Sequence, residues 1–440
     1  MTDLSERDEQ SVDVPFFRTG NYAPVDDELT EFDLPVVEGA IPAELDGWYL
    51  RNGPNPRQEN AHWFTGDGMI HGVRLEGGRA GWYRNRWVRT ESFENDFDVY
   101  NADGTRNLHS SVANTHVVNH AGKTLALVES SLPYEVSTDL ETLGVYDFGG
   151  KLMDSMTAHP KICPTTGELH FFGYGNLSSP HVTYHRADAQ GNLVINRGVE
   201  VPALTMMHDF AMTADHVVFM DLPIVFNMDI AMNGDMPYRW DDSYGARLGV
   251  LRRDDPFGEI RWFDIDPCYV FHVSNAYDLG DSLVLQAVRY PELWRRGGGF
   301  EEDAVMWSWT LDLTTGKVTE RQVDDAAVEF PRIDDRLAGM NARYSVAVAG
   351  ADLIRYDMET GAAQRHTFDA GIPGEAVFVA SSSGPADESN GYYLSYVYDR
   401  ARDGSDLVIL AADDFGGAPV ATVALPRRVP FGFHGNWITG

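Results

Sequence analysis

The chain has 440 residues and carries 67 acidic against 34 basic side chains, a formal net charge of −33. That balance argues against nucleic acid and against docking on anionic lipid through a basic patch, and points to a neutral or apolar partner. Two cysteines, Cys163 and Cys268, cannot build a multi-bridge framework, so a reducing, cytoplasmic compartment is expected.

In chain order, the segment from Met1 to Gln10 has no basic stretch followed by an apolar one, and no secretory leader is read there. No uncharged apolar run reaches the roughly 18 residues of a spanning helix. Residues 1–30 are polar and acidic and are expected to form a flexible arm. Residues 31–440 are expected to form a single catalytic domain, with order starting near Phe32-Asp33-Leu34-Pro35. A turn, a strand and a Gly/Pro-rich loop follow across Ile41 to Pro56. Beyond it, short β-branched or aromatic runs recur, each bounded by Gly, Asp, Asn or Pro: Thr124 to Val128, Leu169 to Tyr174, Ser282 to Val288, Tyr392 to Tyr398. The sequence holds 42 glycines and 22 prolines, which suit many tight turns and suit long helices poorly, so the class is all-β.

A polar residue recurs at the mouth of an apolar run with a regular cadence. His159, His208, His272, Glu329, Glu375 and His434 follow one another at intervals of 49, 64, 57, 46 and 59 residues. A four-stranded propeller blade takes roughly 40 to 50 residues, more with insertions. One such residue per blade, on the strand nearest the axis, predicts a β-propeller, and about 400 ordered residues at roughly 50 to 60 per blade predict seven blades; a large sandwich or jelly roll shares the strand content.

Four histidines at a common point make an all-imidazole metal site. Neutral imidazole binds first-row metals, and its second nitrogen is normally held by a carboxylate or carbonyl that sets tautomer and ring orientation. Glu129, Glu329 and Glu375, each at the end of an apolar run, are candidates for that role. An imidazole-only donor set with open positions suits a redox-active iron better than a structural zinc. Taken singly, a histidine is ordinarily a hydrogen-bonded core or surface residue. The other ten, among them His109, His116, His120, His181, His185 and His366, are read that way.

The sequence resembles the carotenoid cleavage oxygenases from about residue 30 to the C-terminus. The resemblance rests on Arg51-Asn52-Gly53-Pro54-Asn55-Pro56, His62-Trp63-Phe64-Thr65-Gly66-Asp67-Gly68, Thr157-Ala158-His159-Pro160-Lys161, Met207-His208-Asp209-Phe210, Phe219-Met220-Asp221-Leu222-Pro223, Phe330-Pro331-Arg332 and Arg428 to His434, in that order. It implies a seven-bladed propeller whose loops form a dome over one axial Fe(II) per chain, held by His159, His208, His272 and His434. It further implies that Glu129 hydrogen-bonds His208, Glu329 His272 and Glu375 His434, while His159 has no carboxylate partner. Ala376 departs from the proline common after the last glutamate.

The implied reaction is O2-dependent cleavage of a carbon–carbon double bond in a carotenoid or apocarotenoid, giving two carbonyl products. The iron centre carries the chemistry without a separate catalytic side chain, and specificity falls to an apolar tunnel. Phe64, Tyr134, Met207 and Phe271, beside the ligand motifs, are the candidates to line it. The alternatives are a stilbene- or phenylpropanoid-cleaving dioxygenase, a retinoid isomerohydrolase, and a non-catalytic propeller that binds a hydrophobic ligand. The unusually apolar connection near 224–244, with Phe226, Met228, Ile230, Met232 and Trp240, is a candidate for peripheral membrane contact.

Two apparent motifs are discounted. Asp96-Phe97-Asp98 near Asp103-Gly104 lacks the ligand and glycine of a calcium loop at Tyr100 and Asn101. Gly297-Gly298-Gly299 lacks the Lys-Ser/Thr of a phosphate loop and reads as a hairpin tip.

Overall fold

The computed structural model describes residues 15–58, 63–95, 97–233, 236–295, 302–384 and 387–440. Residues 1–14 of the expected arm, Asp96 and the Gly297-Gly298-Gly299 tip lie outside the described residues.

Among the described residues the strands form seven antiparallel sheets of four to six strands and one two-stranded ribbon. We number the sheets as blades. Blade I joins Gly435–Thr439, Gly47–Pro54, Gly68–Glu76, Arg79–Trp87 and Leu29–Phe32, from the axis outwards. Blades II, III, V and VI are simple meanders starting at His116–His120, Lys161–Ile162, Val273–Leu279 and Glu329–Arg332. Blade IV starts at Phe210–Met212 and carries the ribbon, Ile224–Phe226 paired with Tyr238–Trp240, between its second and third strands. Blade VII sets Gly371–Pro373 and Val377–Ala380 against Gly391–Asp399 and ends with Val36–Gly39.

The ring is thus closed from both ends of the chain. The C-terminal strand becomes the innermost strand of blade I, and N-terminal strands edge blades I and VII. Residues 15–30 are packed rather than loose, so the expected arm is shorter than its polarity suggested. Asn21 is buried and donates to the Val429 carbonyl, Tyr22 packs edge-on against Phe431 and Trp63, and Leu29–Phe32 pairs with Arg79–Trp87.

Each blade packs its faces on its neighbours, so strands near the axis are buried on both sides and lose the one-face alternation of a half-exposed sheet. Leu169–Tyr174 is buried at every position, whereas the outer strand Ala363–Thr367 is exposed except at His366. Apolar cores lie between successive blades. One large cluster spans blades III to VI, and smaller ones sit between I and II, II and III, VI and VII, and VII and I. At roughly 25 cal/mol per Å² of apolar surface, these interfaces are the main favourable term in folding.

Candidate metal centre

Every blade's innermost strand starts at the same end of the axis, and a titratable residue stands at or beside each start. His434 and His272 directly precede Gly435–Thr439 and Val273–Leu279, and His159 and His208 stand two positions before Lys161–Ile162 and Phe210–Met212. Glu329 opens its strand, and Glu375 lies between the two short inner strands of blade VII. The seventh position, unassigned by cadence alone, belongs to His116, which opens blade II.

The four expected ligands come together. Ring nitrogens of His159, His208 and His272 all lie within 4.8 Å of one another, and His159 Nε2 and His208 Nε2 stand 2.9 Å apart. The His434 ring centroid is 4.7 Å from those of both His159 and His272, and its buried Nε2 has no hydrogen-bond partner. Three rings are held from behind: His208 Nδ1 by Glu129, His272 Nδ1 by Glu329, and His434 Nδ1 by Glu375 at 2.8 Å. Each imidazole that donates its Nδ1 proton to a carboxylate turns a lone pair on Nε2 towards the axis. Among the described residues no carboxylate accepts from His159, whose position is set through the backbone: its N–H donates to Thr157 Oγ1, and Thr157 Oγ1 donates to the His208 carbonyl.

Converging, unprotonated nitrogens are what a divalent transition metal requires and what an isolated core cluster would avoid. For His159 and His434 the electrostatics agree. Burial, then the neighbouring imidazoles, hold His159 and His434 well below the ordinary histidine range. Burial likewise pushes His116 down to about 3. For His272 burial works in the same sense but the Glu329 carboxylate outweighs it, and the shift is upward.

The rare motifs have local explanations. Asn52, fully buried, donates to the carbonyls of Ala113 and His116, while its backbone N–H donates to the His434 carbonyl and its own carbonyl accepts from Phe433. Gly53 is required there because a Cβ would meet Gly432 Cα at 2.7 Å. Asp209, also buried, accepts from Phe210 N and Lys161 Nζ on one oxygen and from Val273 N on the other, tying the His208 loop to the His272 strand. Phe330 adopts φ 54°, a left-handed conformation rare outside glycine, and stacks on His272 at 5.0 Å.

The four expected tunnel residues separate. Phe271 packs edge-on to His208 at 5.0 Å, and Phe64 reaches the site through Phe433, on which it stacks at 6.0 Å. Met207 is buried in the core shared by blades III to VI. Tyr134 is a correction: it sits on the third strand of blade II, in the core between blades I and II, and its hydroxyl accepts from Glu91 N at 2.9 Å. Strand alternation and blade packing, which a nearby ligand motif does not reveal, sent it there. A cavity of about 410 Å³ runs along the innermost strands from the histidines past Lys161, Asn275, Arg332 and Asn436. Its walls mix these polar and charged groups with apolar side chains, among them Val118, Ile162, Met212, Val273 and Ile333. Sequence reading quoted Lys161, Asp209 and Arg332 within motifs without a role, and took His116 for an ordinary core histidine; only the spacing of His116, 43 residues before His159, could have found it.

The family model described as retinal pigment epithelial membrane protein matches residues 22–439. A carotenoid cleavage oxygenase of Mycobacterium tuberculosis is 39% identical, covering 95% of this chain and 96% of that protein. The carotenoid 9,10(9',10')-cleavage dioxygenase of Crocus sativus is 34% identical, covering 96% and 89%. Among solved structures, the lignostilbene dioxygenase of Pseudomonas brassicacearum superposes with a TM-score of 0.86 at 27% identity, covering 96% of this chain and 98% of that one. Cobalt-substituted Synechocystis ACO superposes with a TM-score of 0.84 at 25% identity, covering 95% and 97%.

Proposed function

The chain belongs to the carotenoid cleavage dioxygenase family, and from that premise we propose that it is a non-haem Fe(II) enzyme that splits one double bond of a carotenoid or apocarotenoid with O2. The observation that carries this reading is the convergence of four imidazoles, three of them backed by carboxylates, at one end of the propeller axis. His159, His208, His272 and His434 would hold one iron per chain. When bound, iron(II) supplies activation of O2, which needs open coordination positions beside four neutral donors.

The chain's own groups do the remaining work. Glu129, Glu329 and Glu375 keep the Nδ1 protons in place and the rings aimed. Phe271 and Phe330, packed on His208 and His272, present apolar faces that exclude water and accommodate a polyene. The loops at the entry ends of the inner strands would form the dome, and the ribbon with Met228, Met232 and Met236 exposed beside it would rest on a membrane from which an apolar substrate is drawn. Among the described residues no helix is long and apolar enough to cross a membrane. The exposed methionines beside the ribbon are what supports a location peripheral to the bilayer.

Substrate class turns on Val128, immediately before Glu129. Relatives that cleave hydroxylated stilbenes carry a lysine at that position, which with a tyrosine binds the phenolic hydroxyl. Valine offers only apolar surface, and a buried phenol without its partner loses roughly 1 to 3 kcal/mol, while a polyene loses nothing. Tyr100, the other phenol considered for that role, donates its hydroxyl proton to the Gly175 carbonyl at 3.2 Å. Incubation with carotenoids, apocarotenoids and 4-hydroxystilbenes, with mass analysis of the aldehydes, tests the assignment. Faster cleavage of a hydroxystilbene than of every polyene would overturn it, and tight polyene binding without O2 uptake by iron-loaded protein would favour a non-catalytic carrier.

A further inference from the structure

The three carboxylates that hold the site's imidazoles each have a second oxygen, and the structure fills two of these with one kind of donor and the third with another. Glu129 Oε2 accepts from the Tyr174 hydroxyl. Glu329 Oε1 accepts from the Tyr290 hydroxyl at 2.8 Å. Glu375 Oε2 accepts from Arg332 Nη1 at 3.0 Å and from Gly435 N at 2.9 Å. Two imidazole–carboxylate pairs therefore end on a neutral phenol, and the third ends on a cation. All three end groups are deeply placed. Tyr174 and Tyr290 are buried, and the Arg332 side chain is 14% exposed against 2% for that of Glu375.

We propose that Tyr174, Tyr290 and Arg332 are positioning residues that set the electron-donating strength of His208, His272 and His434 towards the metal. The inference rests on the four-histidine metal site proposed above. A carboxylate that accepts only from imidazole Nδ1–H draws that proton strongly and gives the ring imidazolate character, which makes it a stronger donor to a cation. A second donor on the far oxygen disperses the carboxylate charge and keeps the ring closer to neutral imidazole. In a buried site these hydrogen bonds are little screened, and an ionic donor exceeds a neutral one. Arg332 thus does most for His434, while the two phenols do less, and in equal sense, for His208 and His272. The consequence is a metal centre surrounded by nearly neutral donors, which favours the divalent over the trivalent ion.

None of the three is announced by the motif that carries its histidine. Tyr174 ends the apolar strand Leu169–Tyr174, and Tyr290 follows Ser282–Arg289. Arg332 also donates to the Gly435 carbonyl at 3.0 Å and pairs with Asp335, so its removal disturbs structure as well as charge. The clean variants are Tyr174→Phe and Tyr290→Phe, which delete one hydroxyl and keep the ring.

The test is a redox titration of iron-loaded wild type, Tyr174→Phe, Tyr290→Phe, Arg332→Lys and Arg332→Met, with the visible spectrum of the cobalt(II)-loaded forms as a second readout. Both Phe variants are expected to stay folded and metal-loaded, with the trivalent state favoured more than in wild type and the cobalt bands displaced. Arg332→Met is expected to favour the trivalent state by about tenfold or more, equivalent to a potential lower by about 59 mV for one electron, with Arg332→Lys restoring most of it. Wild-type potentials and cobalt spectra in folded, loaded Tyr174→Phe and Tyr290→Phe would overturn the inference. Wild-type protein that takes up neither iron nor cobalt would instead overturn the metal-site reading beneath it.

Discussion

At the scale of single residues, the site is built from donors whose protons are assigned by their neighbours. If the proposed iron site is right, removing a ring removes one of its four nitrogen donors, so His208→Ala and His272→Ala are each expected to abolish both bound iron and cleavage activity, measured by metal analysis and product formation. Removing only the charge behind a ring is milder. Glu375 accepts from His434, Gly435 and Arg332 together, and Glu375→Gln keeps its shape while offering one acceptor oxygen and losing the ionic partner. Iron affinity or turnover is expected to fall by about 10- to 100-fold with the fold intact. Wild-type affinity and rate in that variant would mean that the carboxylate charge does not tune His434.

At the scale of elements, the loops between blades, rather than the strands, aim the ligands. The Arg51-Asn52-Gly53 segment holds the His434 loop by backbone exchange at Asn52 and by Arg51, which donates to the Pro430 carbonyl. Asn52→Ala would leave the Ala113 carbonyl, and one acceptor site of the His116 carbonyl, without their donor in a buried environment. A loss of about 2 to 4 kcal/mol is expected, read as a fall in thermal midpoint, together with weaker metal retention. The ribbon of blade IV has a separate use. Met228 and Met232 are 52% and 79% exposed on the helix Met228–Met232. Replacing both with serine is expected to reduce co-sedimentation with neutral phosphatidylcholine vesicles without changing turnover of a detergent-solubilised substrate. Unchanged sedimentation would remove this helix from the membrane-contact reading.

At the scale of the whole molecule, stability depends on how the ring is closed. Glu44, in the crossing from blade VII to blade I, accepts from Ser381 Oγ, from Ser382 N and Oγ, and from the Tyr392 hydroxyl. Burial acts to raise its pKa, but these donors outweigh it and bring the carboxyl from its ordinary 4.5 to about 2. A carboxyl depressed in the folded state stabilises it fully above the unfolded value and loses that contribution as pH falls through the folded one. Glu44→Gln is therefore expected to unfold more readily than wild type at pH 7, with the difference shrinking from about pH 4.5 down towards about pH 2. Denaturant midpoints across that range check the sign, and a gap that widened on acidification would contradict it.

The sequence by itself determined the all-β class, because short β-branched runs punctuated by Gly, Asp, Asn and Pro leave no room for long helices. It also singled out the four histidines together with Glu329 and Glu375, because each stands at or beside the start of an inner strand and inherits the spacing of the blades, whereas Glu129, which follows the second strand of blade II, was marked by the end of its apolar run and by the family resemblance. Tertiary structure decided what depends on contacts between distant segments. Tyr174 reaches Glu129 across 45 positions and Arg51 reaches Pro430 across 379, and no local pattern encodes such pairings. His116 looked like any core histidine until its strand was seen to open blade II beside His434. Residues 15–30 looked like solvated arm, yet Tyr22 and Leu29–Phe32 find partners on the closed ring that polarity alone does not reveal. Spacing along the chain is written in local patterning, whereas the donors that complete a buried site are settled only when blades far apart in sequence pack against one another.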